Sequence, residues 1–230
     1  MPVSKDDQGP PADVLPFLQY VDWACYGITG PSLDLSLHLT HLNPVIVQKM
    51  GLGLDVTVRE PQQLCVPVES DNKRNAFPPP AVTGLIDYLD VECYRLDPFP
   101  NLGVVPIRLT HLNPLFADLA PEDVGLEGPG VPQLCVPVMK NQQSPSRQFF
   151  NHIRFSDVLC YAMQGLPLNR QLTLTHLNPV LSGMGLPPES VNVTDSHRLC
   201  VPVAKNGLLP SEDPPSPNDP PGTGEGPGGH

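Results

Sequence analysis

Leu39-Thr40-His41-Leu42-Asn43-Pro44 recurs as Leu109-Thr110-His111-Leu112-Asn113-Pro114 and again as Leu174-Thr175-His176-Leu177-Asn178-Pro179. A Cys-Tyr pair precedes each copy: Cys25-Tyr26, Cys93-Tyr94 and Cys160-Tyr161. Leu-Cys-Val-Pro-Val follows each one, beginning at Leu64, Leu134 and Leu199. The histidine and the second cysteine are 24 residues apart in every copy, and the first cysteine and the histidine 16, 18 and 16. Such fixed spacing implies one small folding unit occurring three times. The division expected is a flexible N-terminal segment 1–15, repeat 1 over 16–72, a Pro-rich linker 73–83, repeat 2 over 84–142, a linker 143–149, repeat 3 over 150–207, and a disordered Pro/Gly-rich acidic tail 208–230.

Within a copy, the residues around Cys-Tyr are aromatic and β-branched, as in Tyr20 to Tyr26, and suit a half-buried strand. Next, Leu35, Leu37 and Leu39 alternate with Ser36, His38 and Thr40, so a second strand buries one face. His41, His111 and His176 continue the leucine face. Asn-Pro then offers an N-cap and a first helical residue, so a turn or two of helix is expected, ended by Gly51 or Gly185. A third strand is expected at Asp55 to Val58 and at Ser190 to Val193. In the closing strand Leu, Val and Val share one face, Cys and Pro the other. Its proline removes a ladder donor, which predicts an edge or a bulge. The fold class expected is all-β: three tandem small disulfide-stapled units, each of about four short strands plus one short helical turn.

Composition narrows the function. The chain has 32 prolines among 230 residues, against an average near 5%, and this is hostile to long helices. A formal charge of -11 argues against nucleic acid or an anionic membrane surface as partner. No apolar run is long enough to span a bilayer as a helix. Units this small bury too little apolar surface to be stable unaided and need a covalent staple, a metal, or packing against each other. Six cysteines, two per copy, read as a disulfide framework and an oxidising compartment, with six buried free thiols as the alternative. Of 15 possible pairings, equivalence of the copies favours Cys25–Cys65, Cys93–Cys135 and Cys160–Cys200. Each would close a loop of roughly 40 residues, worth on the order of 4 kcal/mol. Met1 to Asp13 is polar with no apolar signal stretch. The expectation is a secreted or cell-envelope protein, with the chain a piece of a longer exported one or its start misassigned.

No catalytic residues are expected. Nucleophile-elbow, zinc-protease, phosphate-loop and dinucleotide signatures do not occur. What repeats is Leu, Val, Pro, Cys and Asn, the residues of packing and turns. The sharp alternative for His41, His111 and His176 is a shared metal site, three imidazoles with an open fourth position. The plain reading is three buried histidines, each hydrogen-bonding the turn after it. Tyr26, Tyr94 and Tyr161 are expected to pack against the bridges. Asn192-Val193-Thr194 matches a glycosylation acceptor. Glu69, Asp71 and Asn72 lack calcium-loop spacing.

The Cys-Tyr strand, the alternating Leu/Thr strand and the closing Leu-Cys-x-Pro-Val-x-Lys-Asn resemble an uncharacterised bacterial repeat domain found in tandem in predicted exported proteins. The closing motif is complete in Leu134 to Asn141 and Leu199 to Asn206, while the first copy reads Glu69-Ser70-Asp71-Asn72 after Val68. The resemblance spans residues 16 to 207, implies a secreted or envelope setting, and carries no activity. The function expected is a non-catalytic structural or interaction repeat protein of the cell surface or an extracellular assembly, with no cofactor. Its partners would be proteins, including self-association through strand edges. The alternative is a glycan- or metal-binding module with equivalent sites in each repeat. An enzyme with a site between units is the third reading.

Overall fold

The computed structural model describes residues 3–5, 8, 21–70, 85–98, 103–112, 116, 118–127, 132–140, 153, 156–165, 167–177, 181, 183–195 and 197–205. The linkers 73–83 and 143–149, the tail 208–230, Asp71 and Asn72 lie outside these residues. In chain order the elements are β1 (Val3–Lys5), β2 (Asp22–Gly27), β3 (Leu35–His41), α1 (Pro44–Met50), β4 (Gly53–Ser70), β5 (Val91–Asp97), β6 (Val104–His111), β7 (Glu122–Glu127), β8 (Gln133–Pro137), β9 (Val158–Gln164), β10 (Pro167–His176), β11 (Glu189–Asp195) and β12 (Arg198–Lys205). All twelve strands belong to one sheet, and every named pair is antiparallel.

The Cys-Tyr strand pairs with the closing strand of the same copy, and each pair sets its two cysteines directly opposite: Cys25 and Cys65, Cys93 and Cys135, Cys160 and Cys200. All three pairs are bonded. The leucine strand pairs with the third strand: β3 with the first half of β4, β6 with β7, and β10 with β11. Third and closing strands were expected to be separate. In the first copy they run together as the 18-residue β4, whose ladder with β5 shifts register around Pro61. The irregularity absorbs the change of direction that a break would otherwise supply. Strand β1 comes from within the 1–15 segment, where the sequence reading placed no element.

The copies also pair with one another. Strand β4 continues onto β5 with Gln63 opposite Cys93 and Cys65 opposite Val91. Strand β8 continues onto β9 in the equivalent register, Gln133 opposite Cys160 and Cys135 opposite Val158. The last residues of β12 join β3, which returns to β4. Thus β4, β5, β8, β9, β12 and β3 form a closed ring. One face carries the main core: Leu39, Val56, Val58, Leu96, Leu134, Leu159, Tyr161, Leu199, Val201 and Val203, with Ile107, Leu109, Val124 and Leu126 from β6 and β7. Helix α1 adds Val45 and Ile46 to it. The Asn43 side chain accepts from the amides of Val45 and Ile46, Pro44 opens the helix, and Gly51, at φ +89°, closes it by donating to the Val47 carbonyl. That left-handed residue is where glycine is needed.

The other face carries the sulfurs. Cys65, Val91, Cys93, Cys135 and Cys160 form a second apolar cluster with Trp23, Val158 and Cys200. Across the two joints Cys65 Sγ lies 3.8 Å from Cys93 Sγ and Cys135 Sγ 3.6 Å from Cys160 Sγ, so the three bridges stack in a row. Trp23 Nε1 donates to the Leu89 carbonyl at 2.9 Å and ties the first copy to the second.

Proline in the closing strand is accommodated where two neighbours meet, although β4 has partners on both sides. On the side of β4 away from β2, β5 reaches Cys65 and β10 begins at Val68. Pro67 falls between them, and its carbonyl accepts from Leu177 N–H at 3.1 Å. Pro202 does the same for Leu42 N–H at 3.1 Å.

The middle bridge has a neighbour on each side, so its loss opens both joints. Replacing Cys93 and Cys135 together by Ser should lower unfolding free energy by about 2–5 kcal/mol, measured by urea titration. A change within error would remove the bridges from the stability account.

Candidate functional site

The three histidines end the second strands at matching positions, and each takes a different partner. His41 is buried. Its Nδ1 lies 2.9 Å from the Gly51 carbonyl and its Nε2 2.6 Å from the Tyr161 hydroxyl. A carbonyl only accepts, so Nδ1 carries the proton, Nε2 accepts, and Tyr161 donates. Burial holds His41 below the usual imidazole value, partly offset by the Gly51 carbonyl. Burial also pushes the Tyr161 phenol well up. His111 Nε2 faces Glu122 Oε1 at 3.6 Å, and its ring lies tilted against Phe116 with centroids 5.4 Å apart. Burial lowers His111 too, against the pull of Glu122. His176 Nε2 is 3.2 Å from Glu189 Oε1, which also accepts from the Tyr26 hydroxyl at 3.2 Å.

Among the described residues, hydrogen bonding to the following turn is seen for His41; most of the turns after His111 and His176 lie outside them. Among the described residues no group of three His, Cys, Asp or Glu side chains is placed to hold a metal ion, so His41, His111 and His176 do not form a shared site. Their partners Glu122 and Glu189 open the third strands of their copies. The sequence reading passed over both, because the gap from histidine to glutamate differs between copies.

The tyrosines also depart from expectation. Tyr161 lies in the main core and Tyr94 packs against it, on the face opposite the bridges. Adjacent residues in a strand point to opposite faces, so Cys-Tyr cannot place its ring on its own disulfide. Burial and a hydrogen bond to Glu92 push the Tyr94 phenol up to about 12.

A second repeated device is a buried aspartate three residues before each first cysteine. Asp22, Asp90 and Asp157 are 5%, 2% and 3% exposed. Each meets the residue five places beyond the closing cysteine. Ser70 Oγ donates to Asp22 at 3.0 Å, Lys140 Nζ to Asp90 at 2.7 Å, and Lys205 Nζ pairs with Asp157 at 2.8 Å. Burial raises Asp157, and Lys205 pulls it back. These pairs clamp the far end of each disulfide hairpin. The lysine stood in the sequence motif, but its acid lies 50 residues away in the chain for Lys140, and spacing alone could not assign it.

The remaining sequence candidates are ordinary strand residues. Asn192 and Val193 pair with Gln171 and Arg170 in the β10–β11 hairpin, and Glu69 pairs with Thr175. No protein-family model, curated protein or solved structure matches the chain.

Two measurements follow from these pairs. Removing the acid with Asp90→Ala strands the Lys140 ammonium, whose side chain is 13% exposed. Breaking so buried a pair should cost about 3 kcal/mol, and adding Lys140→Met should recover part of it; an Asp90→Ala chain as stable as the parent would contradict the clamp. The histidines give a pH dependence. With His41 and His111 depressed in the fold, their contribution is complete above the unfolded value of about 6.5 and is lost as pH falls through and below it. Asp157, raised in the fold, acts in the opposite sense at acid pH. The melting temperature of the His41→Gln chain should therefore fall less steeply below pH ~6.5 than that of the parent; parallel curves would contradict the assignment.

Proposed function

We propose that the chain is a non-catalytic structural or interaction protein of a secreted or cell-surface setting, built from three copies of one disulfide-stapled β module. The observation that carries this reading is the joint between copies. Strands β4 and β5 meet as β8 and β9 do over the three residue pairs ending at Cys65 and Cys135, with stacked sulfurs at each junction. A module that adds to its neighbour by the same strand edge each time is suited to building larger assemblies. The three bridges fit an oxidising compartment. The same setting is implied by the motif likeness to exported bacterial repeats.

Among the described residues, the first edge of the array is open to such addition. Among the described residues β2 pairs with β4 alone. There Cys25 and Tyr26 are exposed, whereas the four cysteines at the joints are 1–4% exposed. The metal form of the alternative reading draws no support from the histidines, each held by its own neighbours.

Sedimentation velocity over a wide concentration range tests the proposal. Reversible self-association is expected, weakened by Tyr26→Lys, since a charge on an edge strand opposes pairing. A chain that stays monomeric at every concentration and is unaffected by the substitution would count against it.

A further inference from the structure

The closing segment of each copy does two jobs. Its inner side holds the Cys-Tyr strand, and its outer side can seat a histidine strand from elsewhere. Val203, Ala204 and Lys205 lie opposite His41, Thr40 and Leu39. Val68, Glu69 and Ser70 lie opposite His176, Thr175 and Leu174. The first and third copies thus exchange closing segments in one register.

The third histidine strand, β6, takes its partner from outside the copies. Val3, Ser4 and Lys5 lie opposite His111, Thr110 and Leu109, the same register again. The sequence explains why: Pro2-Val3-Ser4-Lys5 has the pattern of Pro202-Val203-Ala204-Lys205 and of Pro137-Val138-Met139-Lys140. The chain therefore holds four closing segments and three histidine strands. Val138–Lys140 is the segment left over. Among the described residues no strand pairs with it, and Met139 is 55% exposed.

That leftover segment is nonetheless held like its seated counterparts. Val138 N–H donates to the Asp90 carbonyl at 2.9 Å, as Val203 N–H does to the Asp157 carbonyl at 3.0 Å. Lys140 meets Asp90 as Lys205 meets Asp157. The present occupant of β6 is the poorer one. Lys5 is 8% exposed, and no ion pair joins it to a carboxylate among the described residues. Among those residues it lacks the carboxylate partner that Lys140 and Lys205 have. Lys140 would arrive with Asp90 already attached.

We propose that β6 is an exchangeable seat for a Pro-Val-x-Lys strand, filled in cis by Val3–Lys5 and in trans by Val138–Lys140 of a second copy of this chain. The proposal rests on the reading of the protein as an interaction module and adds a second contact to the one at the β2 edge. Tethering favours the cis occupant at low concentration. Donor and seat are different surfaces of one chain, so trans seating propagates head to tail unless its rotation closes a ring.

Engineered cysteines in the full chain read the register. Ser4 faces Thr110 in cis, so Met139 should face Thr110 in trans. The T110C/M139C chain should form a 110–139 bridge between copies, mapped by mass spectrometry without reduction. Its yield should rise with concentration, and further with Ser4→Pro, which weakens β1. The S4C/T110C chain should instead close within one molecule.

Absence of the 110–139 bridge at every concentration, with the three native bridges intact, overturns the proposal. If the parent still self-associates, this seat alone is wrong; if it does not, the interaction reading falls with it. Copies joined through 4–110 would mean that the N-terminal strand itself is swapped, and would overturn the assignment of Val138–Lys140. A measurement on the unmodified chain guards against misfolded variants. Excess synthetic peptide Val-Pro-Val-Met-Lys should speed hydrogen exchange at residues 3–5 while β6 stays protected. Unchanged exchange at residues 3–5 overturns the proposal.

Discussion

A cystine bridging two directly opposed strands is the constraint on which the rest of this molecule depends. Each copy has only two short hairpins' worth of apolar surface, and two-stranded ribbons are marginal in water. The bridge fixes the register of the Cys-Tyr and closing strands. A one-residue slip would turn every leucine out of the core, and a covalent link between opposed positions forbids it. With register fixed, Leu134, Leu199, Val201 and Val203 must face the main core, and the sulfurs must face the other side. That second face becomes apolar in its own right, because sulfur meets sulfur across the joints. The staple and the glue between copies are the same atoms.

Closure of the ring follows from the prolines as much as from the cysteines. A proline in the middle of a paired strand would waste a ladder position. Here it marks where one neighbour stops and another starts, so the strand hands over from a Cys-Tyr strand to a histidine strand from a different copy. Two of the histidine ends then lie against tyrosines of other copies, His41 on Tyr161 and His176 beside Tyr26. The Asp–Lys and Asp–Ser pairs hold the segment beyond the proline in place. Polar contacts thus sit at the handover, where backbone pairing changes partner, and apolar contacts fill the ring.

Much of each copy was legible because it is local. The alternation of leucine with polar residues announced β3, and Asn43-Pro44 with Gly51 announced α1 at both ends. Equivalence of the copies pointed to the cystine pairing. What the sequence concealed is non-local. Nothing in the spacing says that β12 closes on β3, or that Lys140 finds Asp90. The face of Tyr161 was within reach, since strand alternation separates neighbours, and the pull of an aromatic ring toward a disulfide misled the reading. The role of Val3–Lys5 was hidden by brevity: three residues carry too little pattern to be read as a strand until their register with β6 is seen.

The central claim is that cystine-stacked joints make the copies one cooperative body. Differential scanning calorimetry of the oxidised chain, under conditions that keep it monomeric, tests this directly. The account predicts a single transition whose calorimetric and van't Hoff enthalpies agree. Resolved transitions, or a van't Hoff enthalpy near a third of the calorimetric one, would mean that the copies melt independently, and would contradict it.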